Sequence, residues 1–222
     1  MPPTTPLVSL PGTVQKAPAG VQGFDVNQPL SAADAQALKN AGYDFCLRYI
    51  PRVSVKNCLT NAEALAILNA GIALMPVQHV SPDNWHPSKQ LGTDYGNTAA
   101  NYAKNVVGLP PGMNVWCDLE MIAPHTFAAD VIAYCQAWYT AVHAAGYIPG
   151  VYVGFHAILN SEQLYNDISF KHYWSAYNND IPVATRGFQL MQSEVISPTG
   201  IEIGPDKTQN DHLGDAVLWL SL

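Results

Sequence analysis

Charge is what this sequence has least of. Asp, Glu, Lys and Arg together make up 12% of its 222 residues, about half the ~25% of an ordinary soluble domain. Ten basic residues face 17 acidic ones, a net charge of −7, and no basic run occurs. That excludes a phosphate-neutralising nucleic-acid surface and a polybasic membrane-surface segment. No apolar span reaches the ~18 residues that a membrane helix needs, so no membrane insertion is expected. The start, MPPTTPLVSLPGTVQKAPAG, lacks the basic-then-apolar order of a secretory signal.

Metal and nucleophile signatures are missing too. Seven histidines are scattered without HExxH spacing, and neither GxSxG nor a Gly-rich phosphate loop occurs. No cofactor is implied. The four cysteines, Cys46, Cys58, Cys117 and Cys135, show no CxxC pair. They read as buried or free thiols, or as one disulfide, for which Cys46–Cys58 is the better pair.

What the sequence does have is 48% apolar residues, enough for one sizeable core. Residues 1–20, with prolines at 2, 3, 6, 11 and 18, read as an extended leader or linker, and residues 21–222 as the folded domain. There the phrase Ala-Gly recurs at 41–42, 70–71 and 145–146. Each copy follows a helical pattern and precedes an apolar strand (YDFCLRYI, IALMPVQHV, YIPGVYVGF). Gly just past a helix end supplies the left-handed residue that turns the chain back. Ser31, with Asp34 three residues later, caps the first helix. Further strands are expected at VQGFDVN, NVWCDLE, KHYWSAYN and RGFQLMQS, with a short one near 201–203. Two-sided apolar strands alternating with helices describe a helix-covered parallel sheet. The fold class is α/β, an irregular (β/α)8 TIM-type barrel in a single domain, with a doubly wound sheet as the rival.

With charge so sparse, the two acids closing NVWCDLE stand out. Side chains alternate along a strand, so Asp118 and Glu120 share one face about 6.6 Å apart, at the carboxyl end where α/β barrels build their sites. Asp25 holds the corresponding place on the first strand. Cys117 and Leu119 should face the helices. Carboxylates gathered in a partly apolar cleft shift apart in pKa, leaving one protonated and one ionised, the division of labour that glycosidic cleavage uses. The plain alternative is that Asp118 pairs with Arg48 and Glu120 caps the next helix.

Five segments, GFDVNQ (23–28), DLE (118–120), GVYVG (150–154), YWSAYN (173–178) and FQLMQ (188–192), resemble in order and spacing the family 25 glycoside hydrolases, the lysozyme-like muramidases. The chain is also similar, over residues 21–220, to a sister group, the glycoside-hydrolase-like domain of unknown function, family 1906. The resemblance implies hydrolysis of peptidoglycan or a related N-acetylated glycan. Glu120 would be general acid and then base, and Asp118 nucleophile, stabiliser or orienter of the substrate's N-acetyl group. Asp25 is the first-strand acid of the cleft. The family adds a fourth acid in a D-x-N pattern. Here PDKTQNDHLGD offers Asp206 and Asp211 without a clean match, and Asp211 is taken as its counterpart. The implied partner is a cell-wall polysaccharide; a monomer is expected, and the compartment is left open, with a place outside the cytoplasm favoured.

Sugars need aromatic faces and planar amides. Near strand ends these are Tyr49, Tyr152, Trp174 and Tyr177, with Gln78 and Gln189, while Trp116 sits deeper and reads as core. His79, at the end of its strand, is either a substrate contact or plain structure. The helix 127–145 carries a packing stripe at Val131, Tyr134, Cys135, Trp138 and Val142. The segment 80–96, VSPDNWHPSKQLGTDYG, is expected as a long loop, either a substrate-contacting roof over the cleft or a solvated excursion. Two other functions compete with hydrolysis. One is a glycan-binding barrel that has lost efficient catalysis. The other is a metal-dependent, phosphodiesterase-like hydrolase in which Asp25, Asp118 and Glu120 hold a divalent ion.

Overall fold

The computed structural model describes residues 9–79 and 82–222. Val80 and Ser81, at the end of one expected strand and the start of the expected loop, and residues 1–8 of the expected leader lie outside the described residues.

Eight strands close a barrel. In chain order they are β2 (Gln22–Val26), β3 (Phe45–Ile50), β4 (Ala73–Gln78), β5 (Asn114–Leu119), β6 (Ile148–Val153), β7 (His172–Ser175), β8 (Leu190–Gln192) and β9 (Gly204–Thr208). Each of β2 to β7 pairs in parallel with the next, and β9 closes the ring antiparallel to both β8 and β2. The helices α1 (Ala32–Asn40), α2 (Asn61–Asn69), α3 (Lys89–Tyr102), α4 (Ala128–Ala144) and α5 (Ser161–Asn166) lie between strands. A π-helical turn, Ala103–Val107, extends α3.

Local chemistry sets these boundaries. Ser31 and Asp34 form a reciprocal capping box on α1, and Thr60 and Asn160 cap α2 and α5. Gly42, Gly71 and Gly146 all take positive φ past the ends of α1, α2 and α4. The repeated Ala-Gly phrase is therefore the helix-to-strand joint that the sequence announced.

Three features depart from expectation. The barrel is not all-parallel, because residues 193–203 between β8 and β9 form a hairpin held by the Ile196–Ile203 bridge, and a hairpin reverses the chain. The domain also begins before Val21. β1 (Thr13–Lys16) pairs antiparallel with the last strand, β10 (Leu218–Ser221), and Leu10 and Ala17 are buried. β10 bonds to β4 at Leu220–Leu74, while Leu218 N–H donates to Asn114 Oδ1 at 2.7 Å. It thus wedges between the amino ends of β4 and β5, which pair with each other only at Val77–Trp116 and Gln78–Cys117.

The third departure is α3. Residues 89–96 of the expected loop are helical because Gly92 and Gly96 are crossing points. A Cβ on Gly92 would stand 2.2 Å from the Tyr134 carbonyl oxygen on α4, and one on Gly96 2.8 Å from that of Trp138. Two glycines that read as loop signals are what let the two helix backbones touch. The expected stripe on α4 (Val131, Tyr134, Cys135, Trp138, Val142) is buried against this contact and the sheet. All four cysteines are free and buried. Among the described residues no helix is long and apolar enough to cross a membrane.

Candidate active site

Register and alternation decide which strand residues see the barrel interior. Asp25 on β2 is level with Leu47 on β3, and Asp118 on β5 with Tyr152 on β6. Asp25, Asp118 and Tyr152 fall on the inner face at the carboxyl ends of their strands, and Glu120 follows one residue past β5. The outer parity carries Cys117, whose Sγ meets the Tyr134 hydroxyl on α4 at 3.9 Å. Arg48 takes that parity too. It is fully buried against Glu63 of α2, with Nε donating to Oε1 at 2.6 Å, so it is committed away from the cleft acids.

A hydrogen-bonded chain crosses the cleft. Tyr152 OH donates to Gln192 Oε1 at 2.9 Å, Gln192 Nε2 donates to Asp25 Oδ2 at 2.6 Å, and Tyr49 OH donates to Asp25 Oδ1 at 3.3 Å. Beneath it lies Asp206 on β9, 1% exposed. Its Oδ1 accepts from Trp174 Nε1 at 2.7 Å, and its Oδ2 is buried with no hydrogen-bond partner among the described residues. Two glycines leave room for the acids. A Cβ on Gly204 would sit 2.3 Å from Asp25 Oδ2, and one on Gly154 2.4 Å from Glu120 Oε2.

Burial dominates the electrostatics. It lifts the Asp25 carboxyl to about 6, against the opposing bonds from Gln192 and Tyr49. It lifts Glu120 to about 7, helped by the negative charges of Asp25 and Asp83. Asp206 is pushed well above the carboxylate range by burial and then by the Asp25 charge, with the Trp174 bond opposing. The Tyr152 phenol is raised by burial and by the fields of Glu120, Asp118, Asp25 and Asp206. Acids that hold protons near neutrality can donate them to a leaving group. Among the described residues no group of three His, Cys, Asp or Glu is arranged to hold a metal ion.

Two cavities flank the acids. One of about 310 Å³ lies between the β2–α1 loop and the 193–203 hairpin, lined by Asp25, Asn27, Gln28, Asn57 and Glu202. The other, about 270 Å³, begins at Gly154 beside Glu120 and runs past Phe155, His156, Ile158 and Ile181.

The structure brings together Asp25, Asp118, Glu120, Tyr49 and Tyr152, with Trp174 sealed beneath them, and it does not bring Gln78, Gln189 or Asp211 with them. Gln78 has outward parity and serves the helical layer, bonding Pro51 O, Tyr95 O and Trp138 Nε1. Gln189 also faces outward, pinned to Tyr173 N–H and the Lys171 carbonyl. Trp174 is inward but sealed, 1% exposed, edge-on to Tyr152 at 4.4 Å. Tyr177 is exposed on the loop after β7, and Trp116 is core, as expected. Trp85, from the expected lid, ties the β5–α4 loop by donating to the Glu120 carbonyl at 2.8 Å.

Asp211 corrects the fourth acid. It follows a strand that runs backwards, so it emerges at the barrel's amino end. There Arg186 Nη1 donates to it at 2.5 Å, Gln189 Nε2 at 2.6 Å, and the N–H groups of Leu213 and Asp215 at 2.9 and 2.8 Å. Asp206 is the acid that lies beside Asp25. Gln192, the amide on Asp25, was missed by sequence reasoning. Its signal was parity, since in FQLMQ the inward Leu190 puts Gln192 inside and Gln189 outside.

Several solved structures share this fold. The Mycobacterium tuberculosis Tat-secreted protein Rv2525c, in complex with L-tartrate, superposes with a TM-score of 0.64 at 14% identity, over 89% of this chain and 99% of that one. A family 25 glycosyl hydrolase from Bacillus anthracis gives 0.59 at 12% identity, over 86% and 90%. A muramidase from Trichobolus zukalii gives 0.58 at 14% identity, over 86% and 94%. No curated protein matches the sequence. Residues 36–200 match the model of one family, and the chain belongs to it: the Rv2525c-like, glycoside hydrolase-like domains.

Proposed function

We propose that this barrel is a glycoside hydrolase acting on peptidoglycan or a related N-acetylated glycan. The reading is carried by one observation: acids at the carboxyl end of the barrel, with the rim acid Glu120 titrating at about 7 beside Asp25 at about 6. Glu120 is the general acid that protonates the glycosidic oxygen and, as a carboxylate, the base that activates water. Asp118 stabilises the positive charge developing at the sugar carbon, either as nucleophile or by orienting a neighbouring N-acetyl group. Asp25, positioned by Gln192 and Tyr49, and Asp206 beneath it hold the cleft's proton inventory. The fold shared with muramidases supports the substrate class, and the acid geometry supports the chemistry.

The test is release of reducing ends from purified peptidoglycan and from N-acetylglucosamine oligomers. Glu120→Gln is expected to lower kcat by about 10²–10⁴-fold, the usual worth of a general acid, with an unchanged circular-dichroism spectrum. Glycan capture by a wild-type protein that releases nothing would instead make the barrel a binding module. Activity lost to EDTA and restored by Mg²⁺ or Mn²⁺ would make it a metal-dependent hydrolase.

A further inference from the structure

The carboxyl-end face is acidic at its centre and carries a basic wall at one side. Arg52, Ser54 and Lys56, from the segment joining β3 to α2, and His79, just past β4, line a cavity of about 220 Å³. In a chain with ten Lys and Arg against 17 acidic residues, two of those cations, Arg52 and Lys56, beside one cavity with the His79 imidazole are a local reversal of sign.

The cavity is organised on both sides. Arg52 Nη1 donates to the Tyr95 hydroxyl at 3.1 Å, and its guanidinium carbon lies 5.2 Å from the centre of that ring. Tyr95 belongs to α3, so a helix holds the cation in place. The His79 ring packs on Tyr49 with centroids 4.6 Å apart, and Tyr49 is the residue that donates to Asp25. Lys56 forms no ion pair among the described residues. Burial, with the charges of Arg48 and Arg52, holds His79 below the ordinary imidazole range. Two cations on one wall attract an anion, and the attraction strengthens where the wall is partly desolvated.

We propose that this pocket is an oxyanion subsite, taking a carboxylate or phosphate group that the glycan carries as a substituent. The guanidinium fork matches either group, and the Lys56 ammonium supplies a second charge. Elsewhere on the face Glu202, and Asp25 once it is ionised above about pH 6, repel such a group. An acidic substituent is therefore directed to the Arg52 wall, which sets the register of the glycan relative to Glu120. The glycan as ligand rests on the glycosidase reading, while the anion site stands on its own residues.

Two measurements test it separately. The first follows the His79 ring resonances of the full chain by NMR during titration with sodium acetate, sodium phosphate and, as control, sodium chloride. A bound oxyanion is expected to raise the His79 pKa by roughly one unit, and the Arg52→Gln/Lys56→Gln double variant is expected to abolish the effect. A response to acetate alone assigns a carboxylate, and one to phosphate alone a phosphate ester. A response no larger than that to chloride overturns the proposal. The second compares turnover of neutral N-acetylglucosamine oligomers with that of wall glycan bearing carboxylates. The double variant is expected to raise KM about tenfold for the charged glycan only, with both kcat values unchanged. Equal KM changes for both glycans overturn the subsite. If wild type cleaves neither glycan, the glycosidase reading fails and the imidazole titration alone decides the pocket. Lys56→Glu, a single exposed change, serves if the double variant misfolds.

Discussion

Asp25 and Asp206 lie on neighbouring antiparallel strands, and the difference between them is solvation and partners. Asp25 has two donors on its oxygens, whereas Asp206 has one oxygen bonded to Trp174 and one bare. The Gln192 amide is what keeps Asp25 as low as about 6. Gln192→Leu is therefore expected to move the Asp25 pKa upward by about 1–2 units, the worth of a charge-assisted hydrogen bond, read from carboxyl ¹³C shifts against pH. At the opposite mouth, Asp211 accepts four hydrogen bonds. Asp211→Ala leaves Arg186 with only the longer 3.7 Å pair to Asp215 and Gln189 with only the Lys171 carbonyl, and is expected to cost about 3 kcal/mol of stability, seen in urea unfolding. Its kcat, measured under folded conditions, is expected to stay at the wild-type value.

At the scale of elements, the joints that carry the cleft are also where the backbone is held in unusual conformations. Asn57, Met121, His125, His156 and Ile158 take positive φ, and all lie on loops that follow the carboxyl ends of strands. For a β-branched residue such as Ile158 that conformation is costly, and it persists because neighbouring packing over-determines it. The α3–α4 contact works in the opposite way, through absence of side chains. Gly92→Ala places a methyl 2.2 Å from a backbone oxygen that cannot swing aside. The helices must separate, at an expected cost of about 2–3 kcal/mol, visible as a fall in Tm of about 4–12 °C for a domain of this size.

The whole molecule holds its acids against their own solvation. For Asp25 and Glu120 the folded pKa, about 6 and about 7, lies above the ordinary carboxylate values of 3.8 and 4.5. Protonation therefore favours the fold. The contribution is fully present below pH ~4 and is lost as pH rises through 6 to 7. Removing the ionisable group should remove that loss. Glu120→Gln is expected to match wild type in Tm at pH 4 and to exceed it at pH 8, by an amount worth about 1–3 kcal/mol. Differential scanning calorimetry at the two pH values checks the sign, and a variant less stable at pH 8 would contradict it.

The sequence by itself determined the periodic and the local. Capped helices, the Ala-Gly joints, the parity that turned Asp118 and Glu120 inward and Cys117 outward, and the place of Asp25 on its strand all follow from alternation and turn chemistry within a few residues. Tertiary structure alone decided what depends on direction and partnership between distant segments. The reversal of β9 sends Asp211 to the wrong mouth and puts Asp206 beside Asp25. The β1–β10 pair, the helix hidden behind two glycines and the choice of Gln192 over Gln189 depend likewise on neighbours far along the chain. Strand direction and close approach are properties of pairs of segments, and no pattern within one segment encodes them.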